Sequence, residues 1–173
     1  MKIIPEIDLT QDEDDSIVAL RNDSFPDFQV PRSYYKQLPH YRCLEYEGRK
    51  LVGYMGLDYR VFGVGGISCS VLGVIDFCIR RERRGSGLGS LMLSSLSEYA
   101  KDRPVDFIVL VSDLDEFYGK NGYQKIVARH SWLRLDEFKN YGIAQESVEG
   151  FYLKPVSGKV WPGGPVDWLG YMF

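Results

Sequence analysis

The chain has 173 residues, of which 45% are hydrophobic and 26% charged, and its formal net charge is -3. That length suits one domain with a real core, and the composition is that of a globular and not a disordered protein. The acidic balance argues against general affinity for nucleic acid, which needs a basic face to displace counterions. The opening MKIIPEIDLTQDEDD turns acidic before any long apolar stretch, so no signal peptide is expected. No apolar run reaches the ~18 residues of a membrane span, and a membrane partner is not expected. Cys43, Cys69 and Cys78 lack CxxC or Cys/His spacing. They read as reduced, buried thiols of a cytoplasmic protein without a metal.

In chain order, Ile3–Ile7 reads as a short strand, and Thr10 or Asp12 as the cap of a helix reaching Arg21. Pro26 and Pro31 interrupt the chain before a second short helix over Arg32–Leu38. Tyr41–Tyr46, Lys50–Tyr59 and Ser68–Ile79 are rich in β-branched and aromatic residues and separated by glycine turns, the pattern of an antiparallel meander. The third run is almost continuously apolar and reads as a strand covered on both faces. A helix follows, with Leu88, Leu91, Met92, Leu96 and Tyr99 at helical spacing. Phe107–Val111 reads as a buried strand, Asp115–Asn121 as a brief helix closed by Gly122, and Tyr123–Leu135 as a strand. Asp136–Gly150 reads as a polar loop. The stretch 151–173 combines strand-like runs with Pro162-Gly163-Gly164-Pro165. No linker divides the sequence, so residues 1–173 form a single expected domain with 151–173 as its tail.

The chemistry concentrates between the apolar strand and the helix. In Arg84-Gly85-Ser86-Gly87-Leu88-Gly89 the glycines permit a tight turn and close approach of a ligand. The helix N-terminus presents unpaired N–H groups and a positive dipole end to an anion. A diphosphate is the natural occupant, with the basic run Arg80–Arg84 beside it. A dinucleotide fingerprint would need glycine where Ser90 stands, and a parallel strand–helix–strand unit around it. A P-loop would need Gly-Lys-Ser/Thr, which is absent.

Arg84-x-x-Gly87-x-Gly89 after a buried strand resembles the R/Q-x-x-G-x-G/A motif of the GNAT superfamily of N-acetyltransferases. Phe117-Tyr118-Gly119-Lys120-Asn121-Gly122-Tyr123, one helix and one strand later, is similar to that superfamily's second signature. The resemblance covers roughly Ser68–Val127. It implies an α/β (α+β) fold with a central mixed, mostly antiparallel sheet, splayed between strands four and five and flanked by helices. It also implies acetyl-CoA as co-substrate, held by Phe77, Cys78 and Ile79 through main-chain bonds and by Arg84, Gly85, Ser86, Gly87, Leu88, Gly89 and Ser90 around the diphosphate. A backbone N–H beside the thioester would polarise its carbonyl. Tyr118, a phenol protonated at neutral pH, is the implied acid for the departing thiolate. Asp76, an acid within an apolar strand, is the candidate base; the competing reading makes it the structural hydrogen-bond partner of a nearby backbone group. Asp113 is the second choice for the base and also a candidate substrate contact.

The acceptor is expected to be a primary amine of a small molecule. The layout and the tail also resemble the aminoglycoside 2′-N-acetyltransferases, which would give Asp167 and Trp168 substrate-binding roles and make an amino sugar the acceptor. The alternatives are a protein N-terminal or lysine acetyltransferase and a non-catalytic acyl-CoA-binding module. A homodimer is left open. His40 and His130 read as ordinary residues.

Overall fold

A computed structural model describes residues 1–173. In chain order the elements are β1 (Lys2–Pro5), α1 (Gln11–Ser24), β2 (Tyr41–Glu47), β3 (Lys50–Val64), β4 (Ile67–Ile79), α2 (Leu88–Lys101), β5 (Phe107–Val111), α3 (Asp115–Lys120), β6 (Gln124–Ile126), β7 (Arg129–Asp136), β8 (Lys139–Ser147), β9 (Phe151–Pro155) and β10 (Val166–Tyr171). The strands join in the order β6-β9-β5-β4-β3-β10-β7-β8, with β2 also on β3 and β1 on β2. Parallel pairing is found for β4 with β5 and for β10 with β7. The sheet is therefore mixed and mostly antiparallel, with helices flanking it, as expected. Contacts divide the chain into two compact units, Met1–Asp58 with Val74–Leu96, and Tyr59–Gly73 with Ser97–Phe173.

In the first unit, α1 begins with a reciprocal cap. The Glu13 N–H donates to Thr10 Oγ1 at 3.4 Å, and the Thr10 N–H donates to Glu13 Oε2 at 3.1 Å. Thr10, and not Asp12, is the cap. Ile17 and Leu20 turn inward onto Leu44, Leu51, Tyr54 and Cys78. The short helix expected over Arg32–Leu38 is absent, and those residues form bends. Hemmed between Pro31 and Pro39, the segment is too short to recover the cost of nucleating a helix. Helix α2 seats against β3 at Gly53, where a Cβ would collide with Met92 Sδ. Its inner face is Met92, Leu93, Leu96 and Ala100, whereas Leu91, expected inside, is exposed.

In the second unit, β5 spans Phe107–Val111 as expected, and its parallel register with β4 is Val71↔Phe107, Leu72↔Ile108 and Gly73↔Val109. The expected strand Tyr123–Leu135 is two, β6 and β7, with different partners. The expected loop Asp136–Gly150 contains β8, paired with β7. Only Ala144 of β8 is buried, so no apolar alternation marks the strand in the sequence. Its turn places Glu137 and Phe138 at φ +41° and +63°, a tight hairpin made without the usual Asn-Gly. The core gathers Phe62, Val64, Val71, Phe107, Phe151, Leu153, Val166 and Trp168.

Within that core the Trp168 Nε1–H donates to His130 Nδ1 at 3.0 Å, which fixes the neutral imidazole as an acceptor. Burial holds the His130 pKa down at about 4, against an ordinary value of 6.5. As pH falls, the unfolded chain takes up this proton first, so the stability contributed by neutral His130 is complete above pH ~6.5 and lost toward pH ~4. The unfolding free energy in urea is expected to fall by ~3 kcal/mol over that window from this group. His130→Gln, which keeps an acceptor for Trp168, should remove that part of the pH dependence.

Candidate functional site

The turn between β4 and α2 is anchored before it opens. The Arg80 N–H donates to the Val52 carbonyl at 2.8 Å, and its Nε to the Leu51 carbonyl at 2.9 Å. Arg83 pairs with Glu47 at 2.7 Å. Two members of the basic run are thus spent on the scaffold, while Arg84, with Nε on the Ile79 carbonyl at 2.9 Å, remains exposed. Gly85 and Gly87 sit at φ +74° and +85°, with no heavy atom within 4 Å of the place a Cβ would take. Glycine is required there by the backbone, and the space over the loop is open. Ser86 Oγ donates to the Arg83 carbonyl at 2.6 Å and closes the turn. The first α-helical bond of α2 runs from the Leu91 N–H to the Gly87 carbonyl at 3.0 Å. The N–H groups of Leu88, Gly89 and Ser90 therefore open the helix without an acceptor inside it, beside the dipole's positive end and an exposed guanidinium. That arrangement suits a diphosphate.

Phe77, Cys78 and Ile79 lead directly into this turn and belong to the same unit. Cys78 is buried, and burial pushes its thiol pKa up to about 12, partly offset by a hydrogen bond with Ser24. A thiol so placed is inert as a nucleophile.

Asp76 is held in a way the sequence did not signal. Its backbone is in the left-handed region, φ +49°, and its Oδ2 accepts from Arg21 Nε at 2.6 Å. Arg21 is only 1% exposed. Its NH1 also donates to the Phe28 carbonyl at 2.8 Å, and its guanidinium lies 5.9 Å from the Phe25 ring centre and 5.6 Å from that of Tyr35. The carboxylate and the buried guanidinium depend on each other, because removing either one leaves the other without its counter-charge. The structural partner weighed for Asp76 in the sequence was a backbone group; the structure supplies a side chain from α1. Only a buried arginine at the inward end of α1 could have hinted at it.

In the second unit, Tyr118 is buried among aromatic rings, with Phe117 and Tyr123 edge-on and Tyr152 tilted against it. Burial pushes its pKa up to about 12, the nearby Asp113 carboxylate adds to the rise, and a hydrogen bond with Ser112 opposes it. Asp113 itself is exposed. Asp167 is exposed and lines a cavity of about 540 Å³ with Arg129, Ser131 and Gln145. Trp168 is fully buried and packs on Phe62 and Phe173. With its N–H spent on His130, Trp168 is a core residue and not a substrate contact. The expected residues thus fall into a contiguous set in the first unit and a second group in the other. No cluster of His, Cys, Asp or Glu is arranged to hold a metal ion, and no helix is long and apolar enough to cross a membrane.

A mixed, mostly antiparallel sheet thus carries a glycine turn that opens a helix of unspent N–H groups. The model of the acetyltransferase (GNAT) family matches residues 9–123, more than half of the sequence, and the chain belongs to that family. No match to the curated proteins was found. Among solved structures, the chain is similar to a GCN5-related N-acetyltransferase from Kribbella flavida, at 18% identity and a TM-score of 0.56 over 72% of this chain. It spans only 33% of that longer protein. The GNAT family N-acetyltransferase YhbS from Escherichia coli, solved in complex with CoA, is 14% identical over 96% of this chain and 88% of its own, with a TM-score of 0.58. An aminoglycoside 6′-N-acetyltransferase complexed with coenzyme A is 14% identical over 92% and 99%, with a TM-score of 0.60. At these identities the likeness is one of fold.

Asp76→Asn leaves the buried Arg21 charge uncompensated and is expected to lower the urea-unfolding free energy by ~3 kcal/mol. Combining Arg21→Met with Asp76→Leu, which removes both charges, should recover part of that loss. An unchanged midpoint in Asp76→Asn would mean that the pair carries no stability.

Proposed function

We propose that this chain transfers an acetyl group from acetyl-CoA to a primary amine of a small molecule. The observation that carries the reading is the turn at Gly85 and Gly87, which opens α2 with unspent N–H groups beside Arg84. Acetyl-CoA is the ligand that the family suggests for this turn. Phe77, Cys78 and Ile79 would lie along the pantetheine arm, and Arg84, Gly85, Ser86, Gly87, Leu88, Gly89 and Ser90 around the diphosphate. In the reaction the amine nitrogen forms a bond to the acetyl carbon, the carbon–sulfur bond breaks, and the thiolate takes a proton. Tyr118 is the proposed donor of that proton, on the strength of its motif and of a phenol that stays protonated until pH approaches about 12.

Asp76, positioned by Arg21, is proposed to hold and orient the acceptor's ammonium, whose proton then passes to water. Asp113 and Asp167 are the further exposed carboxylates proposed to attract a cationic acceptor. An amino sugar rests on Asp167 alone, now that Trp168 belongs to the core. The three free, buried cysteines support a reducing, cytoplasmic setting.

Release of free CoA thiol from acetyl-CoA over a panel of amines tests the reading. Tyr118→Phe is expected to cut kcat by about 10²-fold with acetyl-CoA affinity unchanged. In the wild type, Tyr118 should cause no alkaline loss of rate below pH ~11. Gly87→Val, strained at its positive φ and placing carbons over the loop, should abolish the thermal stabilisation by acetyl-CoA. A wild-type chain that acetyl-CoA does not stabilise, or a Tyr118→Phe variant of normal turnover, would sink the proposal.

A further inference from the structure

The register of four strands sets one row of residues side by side. Gly63 of β3 faces Asp167 of β10, Asp167 faces Ser131 of β7, and Ser131 faces Gln145 of β8. Paired residues share a face of the sheet. The neighbouring row, Val64, Val166 and His130, is buried, so the first row points outward. These residues, joined by Arg129, line the 540 Å³ cavity, which falls within the ~300–1,000 Å³ of small-ligand sites. Gly63 contributes its missing side chain. Its φ is ordinary and a Cβ would meet only Asp167 Cβ at 3.6 Å, so its effect is to leave the row open.

The polar groups here have capacity to spare. Arg129 donates to Gln145 Oε1 only at a long 3.5 Å and has no carboxylate partner. Asp167 accepts through Oδ1 from the Leu169 N–H at 2.9 Å and has no cationic partner. Ser131 makes no side-chain bond. A guanidinium and a carboxylate thus share one cavity without pairing. Arg129 lies two residues back from Ser131, its Cα about 8 Å from that of Asp167 at ordinary strand rise and spacing, and its guanidinium is directed at Gln145. Two residues further along the same face, Leu133 pairs with Ile143, which is 75% exposed.

We propose that this cavity binds a zwitterionic α-amino acid with an apolar side chain. The ammonium lies on Asp167 and Ser131, the carboxylate on Arg129, and the side chain toward Leu133 and Ile143. A ligand carrying both charges satisfies two groups that are not paired with each other, whereas a simple cation or anion leaves one of them unmatched. The inference rests on the proposed acceptor role of Asp167 and narrows the ligand class. It requires neither the diphosphate turn nor Tyr118.

Calorimetric titration of the full chain with L-leucine, N-acetyl-L-leucine and L-leucinamide tests it. Leucine is expected to bind saturably below about 10 mM, and each analogue, lacking one charge, about tenfold or more weakly. Asp167→Asn should erase the preference for leucine over N-acetyl-leucine, and Arg129→Gln the preference over leucinamide, a crossed pattern that loss of folding would not produce. Gly63→Val should remove binding by filling the row. Three ligands of equal affinity, or no saturable binding by a chain that acetyl-CoA still stabilises, would overturn the site while leaving the donor reading intact. With acetyl-CoA added, formation of N-acetyl-leucine marks the amino acid as acceptor. Binding without acetylation marks it as an effector on the same site.

Discussion

Arg21 is a full positive charge with almost none of its surface in water, and much of the first unit is arranged around that fact. A guanidinium does not shed its proton in a protein, so its burial has to be matched by an anion and by acceptors for its remaining N–H groups. Asp76 supplies the anion, the Phe28 carbonyl supplies an acceptor, and the rings of Phe25 and Tyr35 supply faces. One side chain therefore ties the end of α1, the segment that follows it and the last residues of β4 together. The left-handed backbone at Asp76 costs about 1–3 kcal/mol and persists only where the surroundings demand it; the ion pair is such a demand. The same turn of α1 offers Ser24 to Cys78 and, at 3.4 Å, to Arg84. The glycine turn and the left-handed residue Asp76 are thus braced against one helix end.

What could be read from the sequence was what depends on local backbone chemistry. Gly85 and Gly87 had to be glycine because of their own φ angles, and Thr10 with Glu13 forms its cap within one turn of helix. The run Phe107–Val111 announced a buried strand by being apolar throughout. What could not be read were pairings across long separations. Arg21 and Asp76 stand 55 residues apart, and nothing near either one names the other. Strand β8 was invisible for a different reason: with both faces mostly in solvent it carries no alternation, and its turn uses Glu137 and Phe138 where the chemistry of tight turns favours Asn-Gly. A tryptophan in a Pro- and Gly-rich tail is equally at home in a core and in a binding surface, so its neighbours in sequence do not place Trp168. Its Nε1–H needed a buried acceptor to decide between them, and His130, with no neighbour in sequence to mark it, is that acceptor.

The period of two in β10 explains how one short strand serves both the core and the surface. Val166 and Trp168 turn inward, and there the Trp168 N–H finds an acceptor in His130, because a buried N–H without one costs about 1–3 kcal/mol. That requirement leaves no latitude for recognition: the His130–Trp168 bond is fixed and the imidazole is held neutral. Asp167, between them, faces outward, where water solvates a lone carboxylate at little cost. Arg129 and Ser131 stand in the same relation to His130 on β7. Charges left unpaired on the outer face are therefore tolerable to the fold and available to a ligand. The register that seats Trp168 in the core turns Asp167, Ser131 and Arg129 together to the outer face, so the same constraint that closes the inner face sets the polar groups of the outer one side by side.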